Sequence, residues 1–311
     1  MLNTDIAAAR RYHEGTNHTP ERVAGGPRFL DPATRPLPYK IYETLEPLSL
    51  PPARDIPPSG VPALEAIAAP GREPAGERVP DLATLARLCV FSNGITKRIG
   101  RGDRVIDFRA AACTGALYHI ELYLICGDLP DLAAGVYHYG AHDNGLRRLR
   151  AGDFRQVLVE ATGAEPAVAA APVVAVCTST FWRNAWKYRS RAYRHTYWDG
   201  GTVLANLLAV AASAELPAEV VLGFADEPVG RLLDVDPGRE AAFSLVALGR
   251  GGPAHRPAPP VVPLGLPTTP LSAEEIDYPP IGAIHTASSL ASGDEATAWR
   301  VPPPPRPPVA P

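Results

Sequence analysis

The sequence predicts a globular protein that mixes helices with strands, and three observations carry that prediction. The chain has 311 residues, 46% hydrophobic and 20% charged, enough apolar content for one substantial core or two small ones. β-favouring runs recur beyond position 118, and two of them, Val136-Tyr137-His138-Tyr139 and Leu146-Arg147-Arg148-Leu149-Arg150, are joined through Asp143-Asn144-Gly145, a hairpin signal. Between the runs lie segments with apolar residues at helical spacing. The formal net charge of −3 gives no general attraction to nucleic acid or anionic lipid, and neither is an expected partner. The longest apolar runs, residues 166–177 and 202–214, are too short to span a bilayer. Residues 1–5 carry no basic or apolar secretion signal, so a cytoplasmic location is expected. Cys89, Cys113, Cys126 and Cys177 show neither CxxC pairing nor metal spacing; they read as reduced core thiols, and no metal is expected.

In chain order, residues 5–14 mix polar and apolar positions at helical spacing and meet Gly15, which suits a short helix with a glycine stop. Thr19-Pro20-Glu21-Arg22 suits the start of another. Thirty-six prolines exceed ordinary usage, and their recurrence from Pro27 to Pro80 predicts an extended arm, since each fixes φ and removes a donor. Within it Tyr39-Lys40-Ile41-Tyr42 and Leu48-Ser49-Leu50-Pro51 are apolar enough to lie on another surface. Leu82, Leu85 and Leu88 behind Asp81 predict a buried helix broken at Phe91-Ser92-Asn93, with a turn at Gly100-Arg101-Gly102. That turn lacks the third glycine and the preceding strand of a dinucleotide fingerprint. Small residues 110–117 lead into a central strand, Ile120 to Cys126. Further strands are expected at 172–177, 220–224 and 241–248, with helices at 199–211 and 227–233. Proline returns at 253–270 and 302–311, leaving helical signals at 271–299, where Ser272-x-x-Glu275 has capping-box spacing. Three parts are expected: an arm at 1–80, a core at 81–256 and a tail at 257–311.

The most concentrated chemistry lies between Arg183 and His195. Arg183, Lys187, Arg189, Arg191 and Arg194 gather there without an acid, among Trp186, Tyr188 and Tyr193. Crowded cations favour loss of a lysine proton and pull a tyrosine toward phenolate, making either a better base near neutral pH. The same pattern serves a solvated basic helix face whose arginine stems cover aromatics.

These residues resemble a known family. Lys187-Tyr188-x-x-Arg191-x-Tyr193-Arg194, preceded by Arg183 and followed by Asp199-Gly200-Gly201 and Gly223-Phe224-x-Asp226, is similar to the SagB/ThcOx-type dehydrogenase branch of the FMN-dependent nitroreductase superfamily. Tyr12-His13-Glu14-x-Thr16-x-His18-Thr19, Tyr39-Lys40-Ile41-Tyr42, Arg109-Ala110-Ala111, Gly115-Ala116-Leu117-Tyr118 and Glu121-Leu122-Tyr123 extend the likeness over roughly residues 5–250. The resemblance implies an α+β fold with a mixed, mainly antiparallel sheet flanked by helices, paired as a homodimer or with a related nitroreductase-like subunit so that FMN lies between subunits. It implies Lys187 and Tyr188 as the catalytic pair of an azoline dehydrogenase acting on a peptide or small heterocycle.

For the cofactor it points to Arg109, Ala112, Cys113, Thr114, Gly115, Gly223 and Phe224, with Arg191 or Arg194 at the phosphate. Ala112-Cys113-Thr114-Gly115 stands where the family usually has Pro-Ser-Ala-Gly, and His119 where it has proline. The family's Arg-x-Ser-x-Arg phosphate motif is not evident; Lys97, Arg98, Arg101, Arg104 and Arg109 are its substitutes here. Two alternatives stand beside the dehydrogenase: an NAD(P)H-dependent nitro or quinone reductase, and a flavin-poor scaffold subunit docking a related partner through its proline-rich arms.

Overall fold

The computed structural model describes residues 3–21, 30–68, 76–101 and 104–300. Arg22 of the expected second helix, Gly102 of the expected turn and the proline run from Pro302 lie outside the described residues.

Seven strands form the central sheet: β1 (Leu48–Ser49), β4 (Ile120–Cys126), β5 (Gly135–Gly140), β6 (Gly145–Ala151), β7 (Val173–Thr180), β8 (Ala218–Val221) and β9 (Glu240–Leu248). Their order is β1-β6-β5-β4-β7-β9-β8, and each pairing is antiparallel. A separate hairpin pairs β2 (Ile95–Arg101) with β3 (Arg104–Arg109). The expected α+β class with a mainly antiparallel sheet is what the chain adopts. β4, β7 and β9 lie between other strands and are buried along their whole length, which is why they read as nearly continuous apolar runs.

Strand alternation divides the core in two. Leu122, Leu124 and Cys126 of β4 face a cluster completed by α3 (Leu82–Asn93) and α7 (Ala192–Ser213), through Leu85, Leu88, Val203 and Leu207. Tyr123 and Ile125 face the other side, covered by α4 (Arg155–Ala161), α5 (Pro166–Ala170) and α8 (Asp226–Leu233). A third cluster joins α6 (Phe181–Tyr188) to α9 (Pro279–Ser288) through Phe181, Trp182, Tyr193 and Ile281. α1 (Ile6–Thr16), α2 (Ala63–Ala68) and α10 (Gly293–Arg300) complete the helices longer than one turn. Among the described residues no helix is long and apolar enough to cross a membrane.

Several local expectations change. α1 runs through Gly15 to Thr16, and its C-terminal carbonyls are taken by Arg191, just before α7, and Arg194 of α7. α3 continues through Phe91, Ser92 and Asn93 because the Ser92 hydroxyl donates to Leu88 O at 2.6 Å and the Asn93 amide to Ile120 O at 3.0 Å. Gly100 and Arg101 belong to β2, not to a turn. α7 begins at Ala192, a full two turns before Asp199, so Asp199 lies inside the helix instead of opening it. Ser272 heads no helix; its hydroxyl donates to Glu274 O and accepts the Trp182 indole. Both apolar pieces of the arm lie on the sheet: Tyr42 and Leu50 are buried, and β1 extends the edge at β6.

Candidate active site

The loop from Ala112 to Tyr118 leaves the β2–β3 hairpin, whose base is closed by Ala110 N–H to Gly94 O at 2.9 Å. Gly115, Ala116 and Tyr118 all have positive φ, at 69°, 53° and 49°. Such backbone is strained for Ala and Tyr and is kept only where surroundings fix it. Here the fixing group is Asp199. Its Oδ1 accepts the Thr114 hydroxyl at 2.7 Å, and its Oδ2 accepts Thr114 N–H at 2.9 Å, the Cys113 thiol at 3.2 Å and His119 Nε2 at 2.9 Å. Tyr118 N–H donates to Cys113 Sγ at 3.1 Å, and Thr202 Oγ1 to Ala112 O at 2.7 Å. Asn93, Ala111, Ala112, Cys113, Tyr118, Ile120, Asp199 and Val203 line a small hollow here, with room for about one water molecule.

Burial works against the Asp199 anion, but the His119 and Thr114 hydrogen bonds hold its carboxyl below the ordinary range. Burial pushes His119 down, so it is neutral. Burial, then the Asp199 charge, pushes the Cys113 thiol up to about 12, which leaves it a weak donor and not a nucleophile. Cys113 Sγ, His119 Nε2 and Asp199 Oδ2 lie within 4.8 Å of one another. Their 2.9 and 3.2 Å separations from Oδ2 are hydrogen-bond lengths, shorter than the roughly 3.3 Å or more between ligand atoms on a tetrahedral zinc.

α6 and the turn after it supply the second wall. Tyr188 points at the loop: a Cβ built on Gly115 meets its hydroxyl at 2.8 Å, so only glycine allows this approach. The Tyr188 ring packs edge-on against His195 at 4.6 Å, and the Lys187 ammonium lies 5.5 Å from the Tyr188 ring centre. His195 is held by Asn184 Oδ1 at 2.7 Å, and burial pushes its imidazole down to about 4. Lys187 is exposed and Tyr188 half-buried, so this pair opens to solvent beside exposed Ala112, Gly115 and Ala116.

The basic segment otherwise scatters. Arg183 turns into the core, where it meets Glu121 Oε1 at 2.5 Å and Tyr118 O at 2.9 Å. Arg191 donates to Thr16 O at 2.6 Å, and Arg194 to Thr16 Oγ1, His13 O and Asn17 Oδ1 at 2.8, 2.9 and 3.1 Å, so both clamp the end of α1. Arg109 is buried, donating to Asn93 Oδ1, Ile120 O and Pro38 O. On the hairpin Arg98 pairs with Asp107 at 2.9 Å and Lys97 is exposed. Gly223 and Phe224 belong to the opposite side of the sheet: Phe224 is in the cluster under α8, and the Trp299 ring lies on Gly223, 2.8 Å from where a Cβ would sit. The structure thus brings Ala112, Cys113, Thr114, Gly115, Lys187 and Tyr188 together, and holds Gly223 and Phe224 apart from them. Sequence reasoning passed over Asn184 and used Asp199 only as a helix start and part of a motif; their partners in the loop are 70 to 86 residues away along the chain, beyond any local pattern.

The fold is a nitroreductase-like α+β fold. No family model matches the chain. Three proteins that carry the description "putative nitroreductase" are similar to it. A solved structure from Anabaena variabilis superposes with a TM-score of 0.68 at 26% identity, over 91% of this chain and 55% of that one. Another, from Ralstonia eutropha, gives 0.51 at 19% identity, over 70% and 100%. A curated protein of Methanocaldococcus jannaschii is 24% identical over 169 residues, which is 54% of this chain and 80% of that protein. The chain therefore spans about half the length of the Anabaena protein.

Proposed function

We propose that this chain is an FMN-dependent oxidoreductase that dehydrogenates a peptide-derived or small azoline-like heterocycle, with Lys187 and Tyr188 handling the proton. The observation that carries the reading is the Tyr188 hydroxyl seated against Gly115, with the exposed Lys187 amine at its ring. The nitroreductase-like fold and the descriptions of its relatives support the oxidoreductase class.

The residues present fit the cofactor. A flat ring needs a wall of short side chains, and Ala112, Gly115 and Ala116 offer exposed backbone with at most a methyl group. A phosphate needs a cation with hydrogen bonds to give; Arg98, Arg109, Arg191 and Arg194 spend theirs on protein partners, which favours the exposed Lys97. Bound FMN would supply hydride transfer. The chain's own residues would hold the heterocycle beside Lys187 and Tyr188 and take the ring carbon's proton at Lys187 Nζ or Tyr188 Oη. Exposed Ile99, Val105, Ile106 and Phe108 on the hairpin and Tyr197 and Trp198 on α7 favour a second related chain covering this side, as a homodimer or heterodimer.

The relatives' description, "putative nitroreductase", also favours the alternative reading, reduction of a nitro compound at the same site. A flavin absorption spectrum of the purified chain, with the chromophore released and identified, separates both enzymes from a flavin-poor scaffold. Lys187→Ala then separates the two. Azoline dehydrogenation should fall by about 10² to 10⁴ while NAD(P)H-driven reduction persists. An unchanged dehydrogenation rate in this variant removes Lys187 from the chemistry.

A further inference from the structure

The geometry points to Asp199 as a positioning residue: its carboxylate fixes the strained Cys113–Tyr118 loop and so sets the surface that this loop offers to a planar cofactor. The cofactor half rests on the flavin reading above; the loop half does not.

Three of the six residues in this loop have positive φ, two of them not glycine. Within the loop Ala116 N–H to Cys113 O, at 2.9 Å, Tyr118 N–H to Cys113 Sγ and a long Cys113 thiol contact to Thr114 O hold that shape. From outside, Arg183 donates to Tyr118 O at 2.9 Å at the loop's end, and the Asn184 amide reaches Thr114 O at a long 3.4 Å. Asp199 gives the loop three hydrogen bonds of its own, on adjacent residues.

The network behind Asp199 runs one way. An ionised carboxylate only accepts, so the proton of the neutral His119 ring must be on Nε2. Nδ1 is then an acceptor, and the Ser179 hydroxyl, 2.8 Å away, must donate to it. Ser179 in turn accepts from Thr196 Oγ1 at 3.0 Å. Thr196, Ser179 and His119 thus form a chain of donors ending on Asp199 Oδ2. An amide at position 199 has the same shape but keeps only one accepting oxygen: turned either way, it sets an NH2 where Asp199 now receives at least one donor, and it removes the charge, so the loop's anchor weakens while α7 keeps its packing.

Asp199→Asn tests this through two independent readings. The first is alkylation of the FMN-free chain by iodoacetamide, mapped by mass spectrometry to each cysteine. Cys89, Cys126 and Cys177 are buried and report global unfolding; Cys113, half-buried under the Asp199 contact, reports the loop. The expected result is that Cys113 reacts about ten- to a hundredfold faster while the other three stay protected. The second is FMN titration, where the dissociation constant should rise about tenfold or more and the visible bands of the bound flavin should shift.

Should Asp199→Asn expose all four thiols, Thr114→Val, which removes one donor from the half-exposed loop, gives the decision with the same two readings and a smaller change in the same direction. Cys113 reactivity and FMN affinity within twofold of wild type overturn the proposal. If the wild-type chain binds no FMN, the flavin reading fails, and the alkylation arm alone decides the role of Asp199.

Discussion

Two buried carboxylates on opposite sides of β4 are satisfied in opposite ways. Asp199, on the α7 side, is surrounded by neutral donors: a hydroxyl, a backbone N–H, a thiol and a neutral imidazole. Glu121, on the other side, is ion-paired with the fully buried Arg183 and bonded to His138 at 3.1 Å. Nearby Glu240 repeats the second pattern, with Lys40 Nζ at 2.8 Å and the Tyr123 and Thr178 hydroxyls at 2.9 and 2.6 Å. The difference teaches which carboxylate is free to serve a loop. Losing the charge of Asp199 strands no cation, so its effect stays local; losing that of Glu121 leaves a buried guanidinium alone.

The largest expected effect follows from that contrast. Glu121→Gln should destabilise the fold by about 3–5 kcal/mol, because Arg183 already has Nε and one terminal nitrogen without partners. Asp199→Asn should cost about 1–3 kcal/mol. Urea unfolding of both variants checks the ranking, and equal costs would erase the distinction between the two centres.

Acidification sharpens the comparison. Burial holds His119 and His138 below the ordinary 6.5, so the unfolded chain takes up their protons more readily. The stability they give is complete above pH 6.5 and is lost as pH falls through their folded values. Burial opposes ionised Glu121, but Arg183, His138 and Arg109 override it and hold its carboxyl far below the ordinary 4.5. Its contribution is intact above 4.5 and lost further down. Asp226, which burial raises to about 6, has the opposite sign: its share is present below 3.8 and lost as pH rises toward 6. The melting temperature should therefore be level above about pH 6.5, sag gently toward 4.5 and drop steeply below it. Glu121→Gln should make the steep limb shallower, with Asp199 and Glu240, whose carboxyls are also held below the ordinary range, keeping part of it; thermal scans from pH 8 to 3 decide.

Gly115→Ala should give the smallest change in stability. A φ of 69° costs a residue with Cβ about 1–2 kcal/mol, and the new methyl presses on the Tyr188 hydroxyl. Tyr188→Phe in the same chain should recover part of the loss by removing that oxygen. A double-mutant cycle with no coupling would mean that ring and loop do not touch in solution.

Much of the fold was legible because its signals are local. β4 spans the residues that its apolar run marks, Ile120 to Cys126, and Asp143-Asn144-Gly145 makes the turn its composition requires. The basic segment was visible as a composition, but its division was not: Arg183 enters the core, Arg191 and Arg194 hold α1, and Tyr188 meets the loop with the exposed Lys187 beside its ring. Arginines of one segment look alike in sequence, and their directions depend on which carbonyl or carboxylate the fold brings near.

The chain alone determined where the sheet's inner strands and several helices form, since period-2 and period-3.6 patterns and turn residues act over a few positions. It also marked Lys187, Tyr188 and the 112–115 loop as chemistry worth locating. Only the tertiary structure decided that Asp199 governs that loop, that Arg183 is structural and that Gly223 and Phe224 lie on the other side of the sheet. Those outcomes rest on contacts between residues far apart in sequence, whose geometry exists only once the sheet has ordered its strands.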